Sequence, residues 1–446
     1  MQTRRDHLQA YQFAMGRLAS ALVSGDPGRG DSPTKRAAVG TFLGAGIVVL
    51  LCAGFGVYGL ISPPASASWR SPGVIVMQQQ TGSRYLYLGG ELRPVLNYAS
   101  ALLILGKSAT VQDVSAKSLG NTPYGAPVGI DGAPDSLPAP TALLSGPWTQ
   151  CLRAGLPGGE AVDFAPGGNT AALPAADQVL LSGPDGKRFL LWRGTLYPVP
   201  DTAALIALGL DGDQAVPAPQ AWLASLPTGV PLAAAPVSGS GGPAGRVAGR
   251  ATQIGQLFQT TTNGAGRDYV MTSGGVSPVG ATEAALLAAR PGAAPVRQVA
   301  ATDLAAAPVA TAAAPGGDLP DVLDAPALPS GGGAVCLRQQ SSGTALKSQV
   351  VLEHGAAATG SRGVLVPPTG GVLAVDQQQL VQQVADPQTY LITDQGVAYP
   401  LGDSQAEATL GLGNAAALPL PPGLLAVLPH GPVLDSGAAQ LTVQGG

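Results

Sequence analysis

The residues whose chemistry is easiest to specify are two cysteines that stand in matching tripeptides. Cys-Leu-Arg occurs at 151–153 and again at 336–338, and this match suggests equivalent strands related by an internal duplication. We expect such strands to face each other, so Cys151 and Cys336 are predicted to form a disulfide, which requires an oxidising compartment. Two buried free thiols are the alternative. A metal site is less favoured, because neither a Cys-x-x-Cys pair nor a nearby histidine pair is present.

Other patterns that could support catalysis are incomplete. Gly106-Lys107-Ser108 matches the end of a phosphate-binding P-loop, but Ala101 stands where the opening glycine is required. The sequence contains no G-x-S-x-G nucleophile elbow and no HExxH motif. His354 and His430 lack the spacing of a ligand set and are interpreted as surface or turn residues. The sequence therefore predicts no catalytic, cofactor-binding or metal-binding residues, and ATP hydrolysis has little support.

A long apolar run decides where these residues lie relative to a membrane. The segment 37–61 has no charged residue and exceeds the roughly 20 apolar residues that a helix needs to cross a bilayer. Six basic residues and three acidic ones precede it, which predicts a cytoplasmic N-terminal arm and an exported remainder. A cleavable signal peptide with a small-residue site at Ala65-Ser66-Ala67 is the alternative, but the leader and the apolar run are both too long.

The arm and the apolar run each carry a pattern that suggests packing against partners. Apolar residues at three- and four-residue steps predict a helix over 4–23 with one apolar stripe, formed by Leu8, Tyr11, Met15, Leu18 and Leu22. We favour a cytoplasmic protein as the partner of this stripe over the lipid surface. Gly40 and Gly44 are four residues apart, a spacing that permits close helix packing, although a lone lipid-facing helix is an equal alternative.

Composition indicates several folded modules joined by linkers. Gly (63) and Pro (41) are abundant, as in disordered chains, but an apolar fraction of 45% supplies enough surface for cores. The formal net charge of the whole chain is −4. Because the arm is net basic, the exported part is net acidic and offers no overall basic surface for nucleic acid.

Four segments share the order aromatic strand, turn with glycine, and proline. The aromatic residue precedes the proline by nine positions in three copies and by ten in the last, which we attribute to one inserted turn residue. The pairs are Tyr85 and Pro94, Phe189 and Pro198, Tyr269 and Pro278, and Tyr390 and Pro400. Each copy is predicted to form three short strands and then a short Ala/Leu-rich helix.

The turns and helix starts of these copies have their own signals. A glycine expected to adopt positive φ follows each aromatic strand, at Gly90, Gly194, Gly274 and Gly396. Three helices have a capping side chain three residues after the proline, namely Asn97, Asp201 and Asp403. The third copy has Ala281 at this position and Thr282 one residue later.

Several of these stretches together carry a resemblance to a known family. They are RRDHLQAYQF, GVYGLISP, RYLYLGGELRPVLNYASALLIL, QTYLITDQGVAYPL and LPHGP. The chain resembles EccB, a membrane-anchored core component of actinobacterial type VII (ESX) secretion systems. The resemblance implies a cytoplasmic helix, one transmembrane helix, and four β-rich repeats around a central disulfide-linked β domain. The family repeats are similar to wall-binding modules of a phage lysin, which suggests contact with peptidoglycan.

We therefore expect an α+β, β-rich fold in which a single N-terminal transmembrane helix precedes the four repeats with short helices. The expected segments are the cytoplasmic helix and linker 1–36, the transmembrane helix 37–61, repeat 1 at 70–120, the central β domain at 121–165 and 331–366, repeat 2 at 166–230, repeat 3 at 231–300, an Ala/Pro-rich linker at 301–330, repeat 4 at 367–422, and a C-terminal segment 423–446 assigned to the central β domain.

The resemblance also implies a function and partners. The expected function is a structural core subunit of a type VII secretion machine in the inner membrane, with most of the chain in the periplasm. The implied partners are other membrane subunits including an FtsK-like ATPase, further copies of the chain and the membrane, with peptidoglycan suggested and nucleic acid excluded. A membrane-tethered wall binder or wall enzyme is the alternative, and an ATPase subunit is a third hypothesis.

Overall fold

The structure is a computed structural model that describes residues 4–24, 33–61, 67–262, 265–312, 314–329, 331 and 333–443. The chain separates into two compact units, Met1–Ser68 and Trp69–Gly446. The helices are α1 Arg4–Ser24, α2 Pro33–Ile61, α3 Tyr98–Leu105, α4 Ala116–Leu119, α5 Thr202–Ala207, α6 Gln220–Ala224, α7 Ala281–Ala288, α8 Ala301–Ala305, α9 Ala356–Thr359, α10 Gln377–Val381, α11 Ser404–Thr409, α12 Pro422–Val427 and α13 Ser436–Gln440.

The strands lie in the second unit. They are β1 Val74–Gln78, β2 Arg84–Leu88, β3 Glu91–Pro94, β4 Thr110–Val114, β5 Trp148–Leu152, β6 Glu160–Asp163, β7 Thr170–Ala172, β8 Gln178–Ser182, β9 Arg188–Trp192, β10 Thr195–Val199, β11 Val216–Pro217, β12 Pro243–Val247, β13 Arg250–Gln253, β14 Leu257–Thr262, β15 Ala265–Thr272, β16 Gly275–Val279, β17 Arg297–Gln298, β18 Ala334–Ser342, β19 Ala345–Glu353, β20 Val364–Leu365, β21 Gly371–Asp376, β22 Thr389–Thr393, β23 Ala398–Pro400 and β24 Leu418–Leu420.

The first unit contains the two long helices that the sequence predicted. Helix α1 matches the predicted range within one residue at its C-terminal end. Helix α2 includes the whole apolar run, and Ala37–Val57 is long and apolar enough to cross a membrane. No other helix among the described residues meets the same length and composition test. The alternative cleavage site at 65–67 lies partly outside the described residues.

The four repeats share one topology in the second unit. Three strands form an antiparallel meander, a helix follows, and a fourth strand returns parallel to the first, so the strand order is third, second, first, fourth. A second helix comes after the fourth strand. The sets are β1–β4 with α3 and α4, β8–β11 with α5 and α6, β14–β17 with α7 and α8, and β21–β24 with α11 and α12.

The aromatic residue and the proline of each repeat are cross-strand partners in the meander. The pairs are Tyr85 with Pro94, Phe189 with Pro198, Tyr269 with Pro278 and Tyr390 with Pro400. The constant spacing in sequence therefore reflects a constant register. In repeat 4 the turn between β22 and β23 is one residue longer, which accounts for the spacing of ten.

The third strand of each repeat is also covered on its outer edge. Its backbone N–H donates to the carbonyl oxygen of a proline that follows the second helix. The bonds are Leu92 to Pro123 at 2.8 Å, Leu196 to Pro227 at 2.9 Å, Val276 to Pro308 at 2.8 Å and Ala398 to Pro429 at 2.8 Å. Because an open strand edge invites pairing with other chains, these segments protect one side of each small sheet.

Three of the predicted helix caps are present. Each side-chain oxygen accepts the backbone N–H three residues later, as expected of an N-cap. The bonds are Asn97 from Ser100 at 3.0 Å, Asp201 from Ala204 at 2.8 Å and Asp403 from Ala406 at 2.7 Å. Capping satisfies one of the backbone donors that a helix start leaves free.

The third repeat differs from this pattern at its helix start and its turn. Gly280 is the N-cap of α7, and Thr282 lies inside the helix instead of capping it. Asp321 supplies the missing acceptor, because its Oδ1 takes hydrogen bonds from the backbone N–H and the hydroxyl of Thr282, both at 3.1 Å. The positive φ expected at Gly274 is found at Gly275, where φ is 126°. A Cβ at Gly275 would lie 2.1 Å from the carbonyl oxygen of Pro308.

The central sheet joins strands from two distant parts of the chain. Its order is β20-β6-β5-β18-β19-β7, and it is antiparallel except for the pairing of β20 with β6. Strand β7 belongs to this sheet although its residues fall in the range expected for repeat 2. Strands β5 and β18, which carry the matching tripeptides, are neighbours as predicted.

Two expected segments lie elsewhere in the fold. The C-terminal segment pairs with repeat 4 through the bridges Ala398 to His430 and Leu401 to Leu434, and Thr442 bridges Val128. Val128 falls in the range expected for the central β domain, but it bridges Val95 and therefore extends repeat 1. The C-terminal segment therefore completes repeats 4 and 1 and does not join the central sheet. The described residues of the Ala/Pro-rich stretch at 301–330 belong to repeats 3 and 2, since they include α8 and bridge Val276 and Gln178.

Hydrophobic cores are shared between modules of this unit. Repeats 1 and 4 share one core, repeats 2 and 3 share another, and the central sheet shares one with repeat 4 and one with repeat 2. Buried residues from two modules that belong to the same core are Leu103 and Leu410, Leu190 and Leu286, Trp148 and Ile392, and Leu337 and Leu181. Because each buried leucine contributes about 1.5–3 kcal/mol, the modules stabilise one another.

Candidate functional site

The predicted disulfide lies at the centre of the central sheet. Cys151 on β5 and Cys336 on β18 are register partners, and their sulfurs are bonded at 2.05 Å. Both side chains are fully buried. The bond links positions 185 residues apart, so in the chain-entropy account it removes much of the freedom of the unfolded chain. Its burial also keeps reductants in solution from reaching the sulfurs in the folded state.

A buried carboxyl group lies against this disulfide. Oε2 of Glu353 is 3.3 Å from Sγ of Cys151, and Glu353 is fully buried at the end of β19. Burial, together with the nearby carboxyl of Asp163, raises the pKa of Glu353 to about 7. Since a disulfide sulfur has no hydrogen, the protonated carboxyl is the donor in this contact.

The same three residues have the spacing of a metal-ligand set but not its chemistry. The ligand atoms of Cys151, Cys336 and Glu353 lie within 4.8 Å of one another. A metal ion binds thiolates, and sulfurs bonded to each other carry no thiolate charge. No sequence pattern singles out Glu353, because a single glutamate at a strand end resembles many surface residues. Its role depends on a register that only the folded sheet reveals.

The apolar stripe of α1 is exposed along its whole length. Its members are between 51% and 82% exposed: Leu8, Tyr11, Met15, Leu18 and Leu22. Phe13 lies on the opposite side of the helix, where the guanidinium of Arg17 sits 5.9 Å from its ring centroid. Helix α1 therefore has one continuous apolar face and a separate aromatic residue on the other face.

Gly40 and Gly44 lie on α2 as predicted. A Cβ built on either glycine would meet nothing within 4 Å among the described residues. A close helix partner for this face thus remains a prediction.

The P-loop-like tripeptide lies at the wrong end of a helix for phosphate binding. Helix α3 ends at Leu105, and Gly106 is its C-cap, with its backbone N–H donating to the carbonyl of Leu102. Lys107 is exposed beyond this cap. A P-loop places its glycines before a helix N-terminus, where free N–H groups bind phosphate, whereas a helix C-terminus presents carbonyl oxygens.

The aromatic side chains near the start of the second unit pack in a small local core. Trp69 is almost completely buried, and its ring meets that of Tyr87 edge-on at 5.4 Å. The guanidinium of Arg70 lies 4.8 Å from the Trp69 ring centroid and donates to the hydroxyl of Thr122 at 3.2 Å. This cluster fixes the first residues of repeat 1.

The described residues thus define a protein with one candidate membrane helix. It is preceded by a helix that exposes an apolar face and followed by β-rich repeats joined through a disulfide-linked sheet. A family model described as "Type VII secretion system ESX-1, transport TM domain B" matches residues 1–445. The chain therefore belongs to the EccB family of type VII secretion proteins, as the sequence motifs predicted.

Named relatives match this chain, one over nearly its full length and another over about half of it. The ESX-1 secretion system ATPase EccB1 of Mycolicibacterium smegmatis (strain MKD8) is 27% identical over 464 residues, covering 98% of this chain and 94% of the relative. The ESX-3 secretion system ATPase EccB3 of Mycobacterium tuberculosis (strain ATCC 25618 / H37Rv) is 30% identical over 257 residues, covering 54% of this chain and 46% of the relative.

Solved structures share the fold. A chain of an intact ESX-5 inner membrane complex has a TM-score of 0.56 and 23% identity, covering 100% of this chain and 96% of that chain. A chain of the EccB3 dimer from the ESX-3 core complex has a TM-score of 0.53 and 24% identity, covering 82% of this chain and 99% of that chain. The strand-rich α+β architecture is therefore the fold of this family.

Proposed function

We propose that this protein is a structural subunit of a type VII secretion complex in the inner membrane. The observation that carries the proposal is the exposed apolar face of α1, which precedes the one candidate membrane helix among the described residues, in a member of the EccB family. An apolar helical face without a core of its own requires a partner to bury it. The shared cores and the disulfide make the second unit suited to a scaffold.

The arrangement across the membrane follows from the charge of the arm. The basic arm before α2 favours a cytoplasmic N-terminus, so in this proposal the disulfide-linked unit lies in the oxidising periplasm. In this account the stripe of α1 docks on a cytoplasmic region of a neighbouring subunit, with an FtsK-like ATPase as the expected companion. The family relative described as a dimer supports association between copies of the second unit.

Removal of the arm tests this assembly role. Deletion of residues 1–25 leaves α2 and the second unit intact, so the variant should still insert in the membrane. We expect it to lose co-purification with the other membrane subunits after mild detergent extraction. An assembly that survives the deletion with unchanged composition contradicts docking through α1.

ATP hydrolysis is a second candidate function because the relatives carry the name ATPase. Within the second unit Lys107 offers the one P-loop-like position, and it follows a helix C-terminus. Turnover by the purified chain that disappears in Lys107→Ala would support the enzyme. Turnover that is absent, or unchanged by this substitution, favours the scaffold.

Peptidoglycan binding depends on the resemblance of the repeats to wall-binding modules. Pull-down of the full chain in detergent on isolated wall material tests it. Retention that needs the second unit but not the membrane partners would support the tethered wall binder instead.

A further inference from the structure

A cavity between the central sheet and repeat 4 has features that the scaffold role does not use. Its volume is about 570 Å³, within the roughly 300–1,000 Å³ range of small-ligand sites. Its walls come from the region around β6, the segment leading into β20, the turn between β22 and β23, and the end of α12. The central sheet and repeat 4 therefore enclose a cavity large enough for a small ligand.

One wall carries a buried carboxyl group with a free oxygen. Glu160 on β6 is 5% exposed and lines the cavity. The side-chain amide of Gln150 donates to its Oε2, while its Oε1 has no hydrogen-bond partner among the residues that the structure describes. A buried acceptor without a partner is rare in folded proteins, because the group has lost water and gained nothing. A turn of the carboxyl group towards the cavity would let a ligand N–H satisfy this acceptor.

A second wall carries a free positive charge. Arg362 is exposed at the cavity and forms no hydrogen bond or ion pair with any described residue. The chain on both sides of it is held in place. The guanidinium of Arg153 donates to the carbonyl oxygens of Ala357 and Gly360 at 2.6 and 2.9 Å, and the backbone N–H of Val162 donates to the carbonyl oxygen of Gly363 at 2.8 Å. Arg362 is therefore presented by a fixed backbone.

The space between these two polar groups is lined by apolar side chains. Val162, Val364 and Leu428 are buried, and Val427 is partly open to solvent. The turn of repeat 4 closes tightly against this wall, since a Cβ at Gly396 would lie 2.7 Å from Cβ of Val364. The cavity thus combines an apolar body with one hydrogen-bond acceptor and one cation.

We propose that this cavity binds the carboxyl-terminal end of an apolar peptide. Arg362 pairs with the terminal carboxylate, Oε1 of Glu160 accepts a backbone N–H, and the valine and leucine side chains receive an apolar peptide side chain. A peptide terminus is the ligand class that carries a carboxylate, an N–H donor and an apolar group within a few bonds. The site does not depend on the secretion role proposed above.

Binding of a defined peptide to the full chain in detergent tests the site. The probe is fluorescein-labelled Ala-Ala-Leu-Val with a free terminal carboxylate, compared with the same peptide ending in an amide. Fluorescence polarisation should show saturable binding of the carboxylate form and at least about tenfold weaker binding of the amide form. Equal affinity for both forms, or no saturation at millimolar peptide, would overturn the proposal.

Substitutions at two residues, Arg362 and Glu160, assign the contacts. Arg362→Gln should weaken the carboxylate peptide by about tenfold or more and leave the amide peptide unchanged. Glu160→Gln keeps a carbonyl oxygen in place and should retain binding, whereas Glu160→Leu should lose it. Arg267→Gln changes an exposed arginine of repeat 3 and is the matched control for charge. Thermal melting of each variant separates loss of binding from loss of folding, and an Arg362→Gln protein that binds normally contradicts the site.

Discussion

Oε2 of Glu353 lies 3.3 Å from Sγ of Cys151, and both residues are fully buried in the sheet that joins the two halves of the second unit. A hydrogen bond across this contact requires the protonated carboxyl, because a bonded sulfur cannot donate. The stability of this sheet is therefore linked to pH.

The stability of the second unit should depend on pH through the carboxyl group of Glu353. Burial raises the folded-state pKa of Glu353 from an ordinary 4.5 to about 7, so its contribution to stability is fully present below about pH 4.5 and is lost as pH rises through about 7. The loss is at most about 3 kcal/mol. The melting temperature should fall between pH 5 and pH 8 in the native chain. Burial also raises the pKa values of Glu160 and Glu283, which act in the same direction.

Glu353→Gln removes the titrating group and retains an N–H donor for the sulfur. Its melting temperature should depend less on pH than that of the native chain, whereas Asp113→Asn on the exposed part of β4 should leave the profile unchanged. An identical pH profile for Glu353→Gln and the native chain contradicts the linkage.

A second prediction addresses the disulfide. The double variant Cys151→Ala and Cys336→Ala should lower the free energy of unfolding of the second unit by roughly 3–5 kcal/mol, because the unfolded chain regains the freedom of a long loop. Chemical denaturation measures this change. Cys52→Ser alters a residue of α2 and is the matched control. Equal stability of the double variant and the control would show that the bond contributes nothing.

A third prediction concerns the unusual cap of α7. Asp321→Ala removes the acceptor for both the N–H and the hydroxyl of Thr282, and it should destabilise the second unit by about 1–2 kcal/mol. Asp201→Ala, which removes an ordinary cap on α5, is the comparison and should cost about 1 kcal/mol. If Asp321→Ala has no effect on the unfolding midpoint, the helix does not depend on this distant side chain.

The turn glycine of repeat 4 provides a fourth prediction. Gly396 has a φ of 78°, and an added Cβ would lie 2.7 Å from Cβ of Val364. Gly343 has a φ of 65° but open space around it, so it isolates the backbone effect. Gly396→Ala should therefore be more destabilising than Gly343→Ala by about 1–3 kcal/mol, measured by chemical denaturation. Equal costs for the two substitutions would place the close approach in doubt.

The meander of each repeat could be predicted from sequence because its signals are local. The aromatic residue and the proline are cross-strand partners, so Tyr85 and Pro94 keep a fixed spacing along the chain. The caps at Asn97, Asp201 and Asp403 are equally local, since each accepts an N–H three residues away.

Features that depend on distant contacts could not be predicted. The fourth strand of repeat 2 is only Val216–Pro217, too short to show a period of two. Its position is fixed by pairing with Leu181 and Ser182. The cap from Asp321 and the environments of Glu353 and Glu160 arise from side chains brought together by the fold. A sequence pattern does not record such contacts.

Co-purification from native membranes tests whether the apolar face of α1 joins this protein to its neighbours in the membrane complex. The double variant Leu18→Ser and Leu22→Ser interrupts the exposed face, and Phe13→Ser changes the opposite face of the same helix. We predict that the double variant is recovered without its partner subunits, while Phe13→Ser retains them. Full recovery of the partners with the double variant, at native expression and membrane insertion, would contradict the account.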